Sequence, residues 1–144
     1  MNNNPPIRIA AAIITDGSGR CLLVRKHGTT HFIQPGGKME PDELPVAALS
    51  RELHEELHLE LEEKDFSYVG RFADNAINEP GKTVVAEIYH SVSDVTEFLP
   101  AAEIAEVVWY SPEEQPALLL APLTENHLIP LVIPLCQKAS SLGK

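Results

Sequence analysis

The stretch Gly36 to Leu59, GGKMEPDELPVAALSRELHEELHL, constrains this chain more than any other. A paired glycine is followed by Glu43 and then by Glu52, Glu55 and Glu56, the last three at i, i+3 and i+4. On a helix that spacing sets three carboxylates on one face, about one turn deep. Like charges so placed repel, and a bare helix is weakened by them. A hard divalent cation such as Mg²⁺ or Mn²⁺, which prefers carboxylate oxygens, reverses the sign of that cost. Val46, Leu49, Leu53 and Leu57 form an apolar stripe beside the acids. The helix is therefore expected to bury one side and turn the other toward a cleft, with Pro45 in its first turn. Ala48, one turn before Glu52, is expected to leave room beside the acids. Arg51 stands one turn before Glu55 and can reach back to Glu43, tying loop to helix.

A Glu-rich helix face can also be plain solvated surface. The preceding residues argue for more. Phe32-Ile33-Gln34 reads as a short strand running into Pro35-Gly36-Gly37, where paired glycines permit a tight turn and a close approach to a ligand. A rigid loop that feeds a metal-binding helix face suits a polyphosphate.

Counted from Gly37, the pattern is glycine, five residues, Glu43, seven residues, Arg51-Glu52, Leu53, one residue, Glu55-Glu56, one residue, His58, Leu59. This resembles the signature of the Nudix hydrolases over 23 residues, Gly37 to Leu59, and departs from it at one position, where His58 stands for glycine. The glycine would follow the helix in a left-handed turn. Histidine tolerates that conformation better than most residues, so His58 is expected to be structural. The order of elements around the motif extends the resemblance over most of the chain.

The resemblance implies an α/β fold, a Nudix-type α/β/α sandwich with a mixed β-sheet. It also implies Mg²⁺- or Mn²⁺-dependent hydrolysis of a nucleoside diphosphate linked to another moiety, cut at a phosphorus–oxygen bond. Glu52, Glu55 and Glu56 are the expected metal ligands, with Gly36 beside them, and Glu43 and Arg51 the expected braces. An acid from outside the motif is expected to join the site, and Glu103 and Glu106 both fit. The general base lies among Glu52, Glu55, Glu56, Glu103 and Glu106. Gly37, Arg25 and Gln34 are expected on the substrate: Gly37 through loop shape, and Arg25 because guanidinium binds phosphate bidentately. Gln34 stands where related sequences often carry leucine, a departure that either places a polar side chain near the substrate or leaves an exposed strand residue, the commoner fate of glutamine. Triphosphates, ADP-ribose, sugar nucleotides and dinucleoside polyphosphates all fit the motif, and relatives are often dimers. The rival readings are a Nudix-like module that senses a nucleotide without cleaving it, and a non-enzymatic acidic scaffold.

The 144 residues suffice for one domain with a core, expected to run 1–144 with 1–6 and 140–144 flexible. A net charge of −10 excludes binding of DNA or RNA by general electrostatics. A small phosphorylated substrate stays compatible, because bound cations invert the local field. No apolar run is long enough to cross a bilayer, MNNNPPIR lacks the regions of a signal peptide, and the cytoplasm is the expected location. Two cysteines, Cys21 and Cys136, form no disulfide or zinc pattern.

Along the chain, Ile7–Thr15 is expected as a strand buried on both faces. Asp16–Gly19 is expected to turn it into Cys21–Lys26 as a hairpin. Phe66–Asp74, Thr83–Val92 and Ile104–Tyr110 are further expected strands, with Glu87 facing either the cleft or solvent. Asp94–Ala101 is a connection. Ser111-Pro112-Glu113-Glu114 has the composition of a helix start. Thr124–Ala139 is expected as the last helix, kinked or divided by Pro130 and Pro134, with Asn126 and His127 near its start.

Overall fold

The computed structural model describes residues 5–77, 79–93, 98, 103–114 and 117–142, the last five as backbone. The lead-in 1–4, most of the 94–101 connection and the two final residues lie outside them.

Strand β1 (Ile7–Thr15) is the centre of the molecule. Its apolar run has no polar face, so both faces must be covered. Ala10, Ala12 and Ile14 enter one core while Ala11 and Ile13 enter the other. The Asp16 carboxylate accepts from the Ser18 and Arg20 N–H groups at 2.8 and 3.0 Å, closing the hairpin into β2 (Cys21–Lys26). The remaining strands are β3 (Gly36–Lys38), β4 (Ser67–Asn75), β5 (Thr83–Val92) and β6 (Ile104–Tyr110). The sheet order is β4-β5-β1-β2-β6, with β3 paired to β1. β1 and β5 run parallel and the other pairs antiparallel, so the sheet is mixed.

Helix α1 (Pro45–Leu57) covers one face, packing Ala48, Leu49, Leu53 and Leu57 against Ala10, Ala12, Ile14, Leu22 and Val24. A π-helical turn (Thr124–Leu128) leads into α2 (Ile129–Leu142) on the other face, where Leu128 and Val132 meet Ala11, Ile13, Leu23 and Ile88. This is the expected α/β/α sandwich.

Four local expectations change. Phe32 and Ile33 make only single bridges, to Leu120 and Val24, and the strand begins three residues after Ile33, at Gly36. The paired glycines are therefore extended backbone laid against β1 rather than a tight turn. A Cβ on Gly36 would run into the Ala10 carbonyl and Ala11 Cα, so the close strand approach requires glycine. Ala48 is fully buried in the α1 core and opens no space beside the acids. Ser111 accepts from the Glu114 N–H at 3.3 Å, but the described residues there form a turn, not a helix. The last helix is π-helical over Thr124–Leu128 and α-helical from Ile129, so it changes type just before Pro130 and runs on through Pro134.

Candidate active site

Helix α1 places its three acids in different surroundings. Leu53 and Leu57 pull the helix onto the sheet, and Glu56, three residues after Leu53, is drawn in with them to 2% exposure. Its Oε1 accepts a long hydrogen bond of 3.4 Å from the Gly36 N–H, while Oε2 is buried and has no partner among the described residues. Burial pushes the Glu56 carboxyl up to about 7. The Lys26 ammonium opposes that shift, as does the Gly36 N–H, while the Glu52 and Glu103 charges add to it. Glu52 is partly buried and also shifted upward, by burial first, against the pull of Arg51. A Cβ on Gly37 would collide with the Glu52 carboxylate, so glycine there lets the acid stand against β3. Glu55 is the exposed member, its side chain 54% open and 3.6 Å from Arg51. The acids share a helix face as expected. Among the described residues, however, no three acid, histidine or cysteine side chains are yet close enough to hold one metal ion.

Arg51 braces the loop before α1. Its Nε and Nη2 donate to the two oxygens of Glu43 at 3.0 and 2.9 Å, Nη1 to Glu52 Oε1 at 3.0 Å and Nη2 to the Lys38 carbonyl at 3.3 Å. The paired guanidinium and the Glu40 N–H hold Glu43 down at about 2. His58 takes φ 56°, ψ 29°, the left-handed conformation, with its N–H on the His54 carbonyl and the Leu59 N–H on the Leu53 carbonyl. It ends the helix as a glycine would.

The two outer acids separate. Glu106 sits opposite Arg25 in the β2–β6 register, and its Oε1 accepts from Arg25 Nε and Nη2 at 2.9 and 2.6 Å. Arg25 spends its third contact on the Thr29 carbonyl. Glu103 lies 3.3 Å from Lys26 Nζ, and its charge reaches Glu56. Glu87, which could have faced the cleft, instead accepts from Tyr68 Oη and Arg71 Nε at 2.7 and 2.8 Å on the β4–β5 side.

Behind β3, on the α2 side of the sheet, is a cavity of about 410 Å³. Ile7, Ile9, Ala11, Ile33, Val84 and Leu128 supply apolar wall, and Gly36, Gly37, Lys26, Gln34 and Thr124 also line it. The size and the apolar lining with a few polar groups fit a small-molecule site. Gln34 is 5% exposed and accepts from the Thr124 hydroxyl at 2.7 Å, while its Nε2 has no partner among the described residues. Asn126 and His127 do not line the cavity: both contact Asp74, at 3.0 and 3.2 Å, pinning the start of the last helix to the end of β4. Sequence reasoning missed Thr124 and Lys26 as site residues. Strand alternation carried a signal for Lys26, because it shares the parity of Leu22 and Val24, which face α1, whereas Arg25 does not. No comparable signal marks Thr124.

The donor set fits a hard divalent cation. A buried carboxylate with an orphaned oxygen and a raised pKa is a group that a cation would stabilise. Glu52, on the same face, adds oxygen ligands of the right kind.

The family model described as the NUDIX domain matches residues 5–132. The chain is 37% identical over 123 residues to a CTP pyrophosphohydrolase of Escherichia coli (strain K12), covering 81% of this chain and 84% of that one. It superposes on the solution structure of the E. coli ORF135 protein with a TM-score of 0.63 at 31% identity, over 99% and 94% of the two chains. It superposes on the E. coli dihydroneopterin triphosphate pyrophosphohydrolase with a TM-score of 0.72 at 13% identity, over 91% and 99%. The last likeness is one of fold alone. With the motif on a buried-acid helix, the family match over most of its length and these relatives, the chain belongs to the Nudix family of hydrolases acting on phosphoric anhydrides.

Proposed function

We propose that the chain hydrolyses the phosphoric anhydride of a nucleoside triphosphate with the help of Mg²⁺ or Mn²⁺, and that a cytidine nucleotide is the first substrate to test. One observation carries the reading. The buried, half-satisfied Glu56 lies against one side of β3, and an apolar cavity of about 410 Å³ opens on the other. A charged end and an apolar end separated by one strand suit a triphosphate joined to a base. The substrate assignment is supported by the 37% identity to a protein that is a CTP pyrophosphohydrolase.

Glu52 and Glu56 would hold the cation, with Glu55 close to them. When bound, the cation neutralises the anhydride and lowers the pKa of a coordinated water. The chain's own residues do the rest. Glu56, protonated more readily than an ordinary carboxyl because it is buried, would hold the cation as the carboxylate. Arg51, fixed on Glu43, keeps Glu52 aimed across Gly37. Lys26, at the junction of cavity and acids, neutralises phosphate charge, and Glu103 is the outer acid of the site because it pairs with Lys26. The Arg25–Glu106 pair serves the β2–β6 ladder. A carboxylate of Glu52 or Glu55 accepts the proton of the attacking water. Water's oxygen bonds to phosphorus, the bridging P–O bond breaks, and the oxygen that leaves carries its electron pair. For CTP the products are CMP and pyrophosphate.

The test is product release from a panel of nucleoside triphosphates, ADP-ribose and sugar nucleotides, with Mg²⁺, with Mn²⁺ and with chelator. Chelator-sensitive release of CMP and pyrophosphate from CTP is the expected result. Silence across the panel with metal binding intact would favour a nucleotide sensor.

A further inference from the structure

We propose that Gln34, held by Thr124, is the specificity-determining residue by which the cavity selects cytosine over uracil. The inference rests on the reading above, that a nucleoside base occupies this cavity. Gln34 reaches the wall from the segment before β3 and Thr124 from the turn before α2, 90 positions away, yet their side chains meet at 2.7 Å in a buried bond. Both are at least 95% buried, and both line the cavity. Thr124 Oγ1 donates to Gln34 Oε1, which holds the plane of the amide. That leaves Nε2, a donor with two hydrogens, without a protein partner among the described residues.

A buried amide donor left unmade is unfavourable, and native proteins seldom keep one without a use. Two buried side-chain atoms among the described residues are in that condition, Glu56 Oε2 and Gln34 Nε2. The first fits a cation. The second sits in the wall of a cavity whose lining is largely aliphatic; Lys26, Lys38, Asn75 and Glu79 also line it, but Gln34 Nε2 is the lining's buried side-chain donor without a partner among the described residues. Thr124 is a positioning residue, acting through Gln34.

The donor selects the edge. Cytosine presents two adjacent acceptors, O2 and unprotonated N3. Uracil carries a hydrogen on N3, so a donor there faces a donor. A site built around a polar partner rejects the analogue that cannot meet it far more strongly than an apolar pocket rejects a shape variant.

The experiment is kcat/KM for CTP and UTP with wild type, Gln34→Met and Thr124→Val in the same Mg²⁺ buffer, each variant checked by thermal melting. Wild type is expected to prefer CTP by at least about tenfold. Gln34→Met should bring the CTP/UTP ratio to within about threefold of unity through loss on CTP, and Thr124→Val should lower it in the same direction. Should Gln34→Met melt early, Gln34→Met with Thr124→Val removes both partners of the buried bond and restores a fold in which the ratio can be read. Equal wild-type use of CTP and UTP, or a ratio that survives both variants, overturns the inference and leaves the hydrolase reading standing. A wild type silent on every nucleoside triphosphate overturns both.

Discussion

Replacing Glu56 by glutamine removes a charge that α1 buries beside β3, and the consequence can be worked from its surroundings. In the folded chain without metal, burial holds the carboxyl at about 7, against an ordinary value of 4.5. The native state therefore keeps this proton to higher pH than the unfolded chain does. Stability from this group is complete below about 4.5 and is lost as pH rises through about 7. At about 1.4 kcal/mol per unit, the limiting loss is about 3.4 kcal/mol, of which roughly 2.5 kcal/mol falls between pH 5 and pH 8. With an unfolding entropy near 2.1 cal/mol/K per residue, that is roughly 8 °C in Tm. The assay is thermal or urea unfolding of wild type and Glu56→Gln from pH 5 to pH 8 without divalent cation. The difference between the two profiles isolates Glu56 from the other titrating groups. Wild type should lose ground against the variant as pH rises. Adding Mg²⁺ should return it, because the cation favours the charged form and binds only the native state. Parallel profiles, or an equal Mg²⁺ response in both proteins, would refute the burial of an ionisable Glu56.

Other outcomes follow from the same geometry. Gly37→Ala should cut turnover by at least about tenfold with a modest change in Tm, because its methyl displaces the Glu52 carboxylate rather than backbone, a loss of the size seen when a ligand's support is removed. Gly36→Ala should instead lower stability by about 2 kcal/mol or more, since its Cβ meets the Ala10 backbone and its φ is 149°; comparing the two melts separates the roles. Arg51→Met should reduce kcat/KM by about 10- to 100-fold by releasing Glu52 and Glu43, and a wild-type rate would dismiss the brace. His58→Gly should leave activity unchanged and raise stability by roughly 0.5–1 kcal/mol, as glycine adopts the left-handed turn without strain. A large loss of activity would give His58 a functional part.

Much of the fold was legible because its signals are local. β1 reads as buried on both faces from an unbroken apolar run, and α1 reads from the stripe Val46, Leu49, Leu53, Leu57. Arg51 and Glu43 were legible as a pair, since their spacing lets one side chain reach the other. The glycine strand was not. Gly36-Gly37 carries the composition of a turn, and only the pairing with β1, a contact 25 residues distant, makes it extended. The fate of Ala48 and the unequal burial of Glu55 and Glu56 depend on how the helix is rolled on the sheet, which the stripe sets only within a residue or so. That Arg25 faces Glu106 follows from the β2–β6 register, which the sequence alone does not show. Gln34 had the appearance of an exposed strand residue. Its burial comes from Thr124, a partner 90 positions away that no local pattern announces.

The central claim is that Glu56 and its neighbours on α1 hold the divalent cation that this chain uses on a nucleoside triphosphate. The most direct measurement is ³¹P NMR of CTP incubated with wild type and with Glu56→Gln, each in Mg²⁺ and in chelator. CMP and pyrophosphate are expected from wild type in Mg²⁺ alone, with a rate at least about a hundredfold lower in the variant, beyond the loss typical of groups that only support ligands. Turnover by Glu56→Gln at the wild-type rate, or turnover that persists in chelator, would contradict the claim.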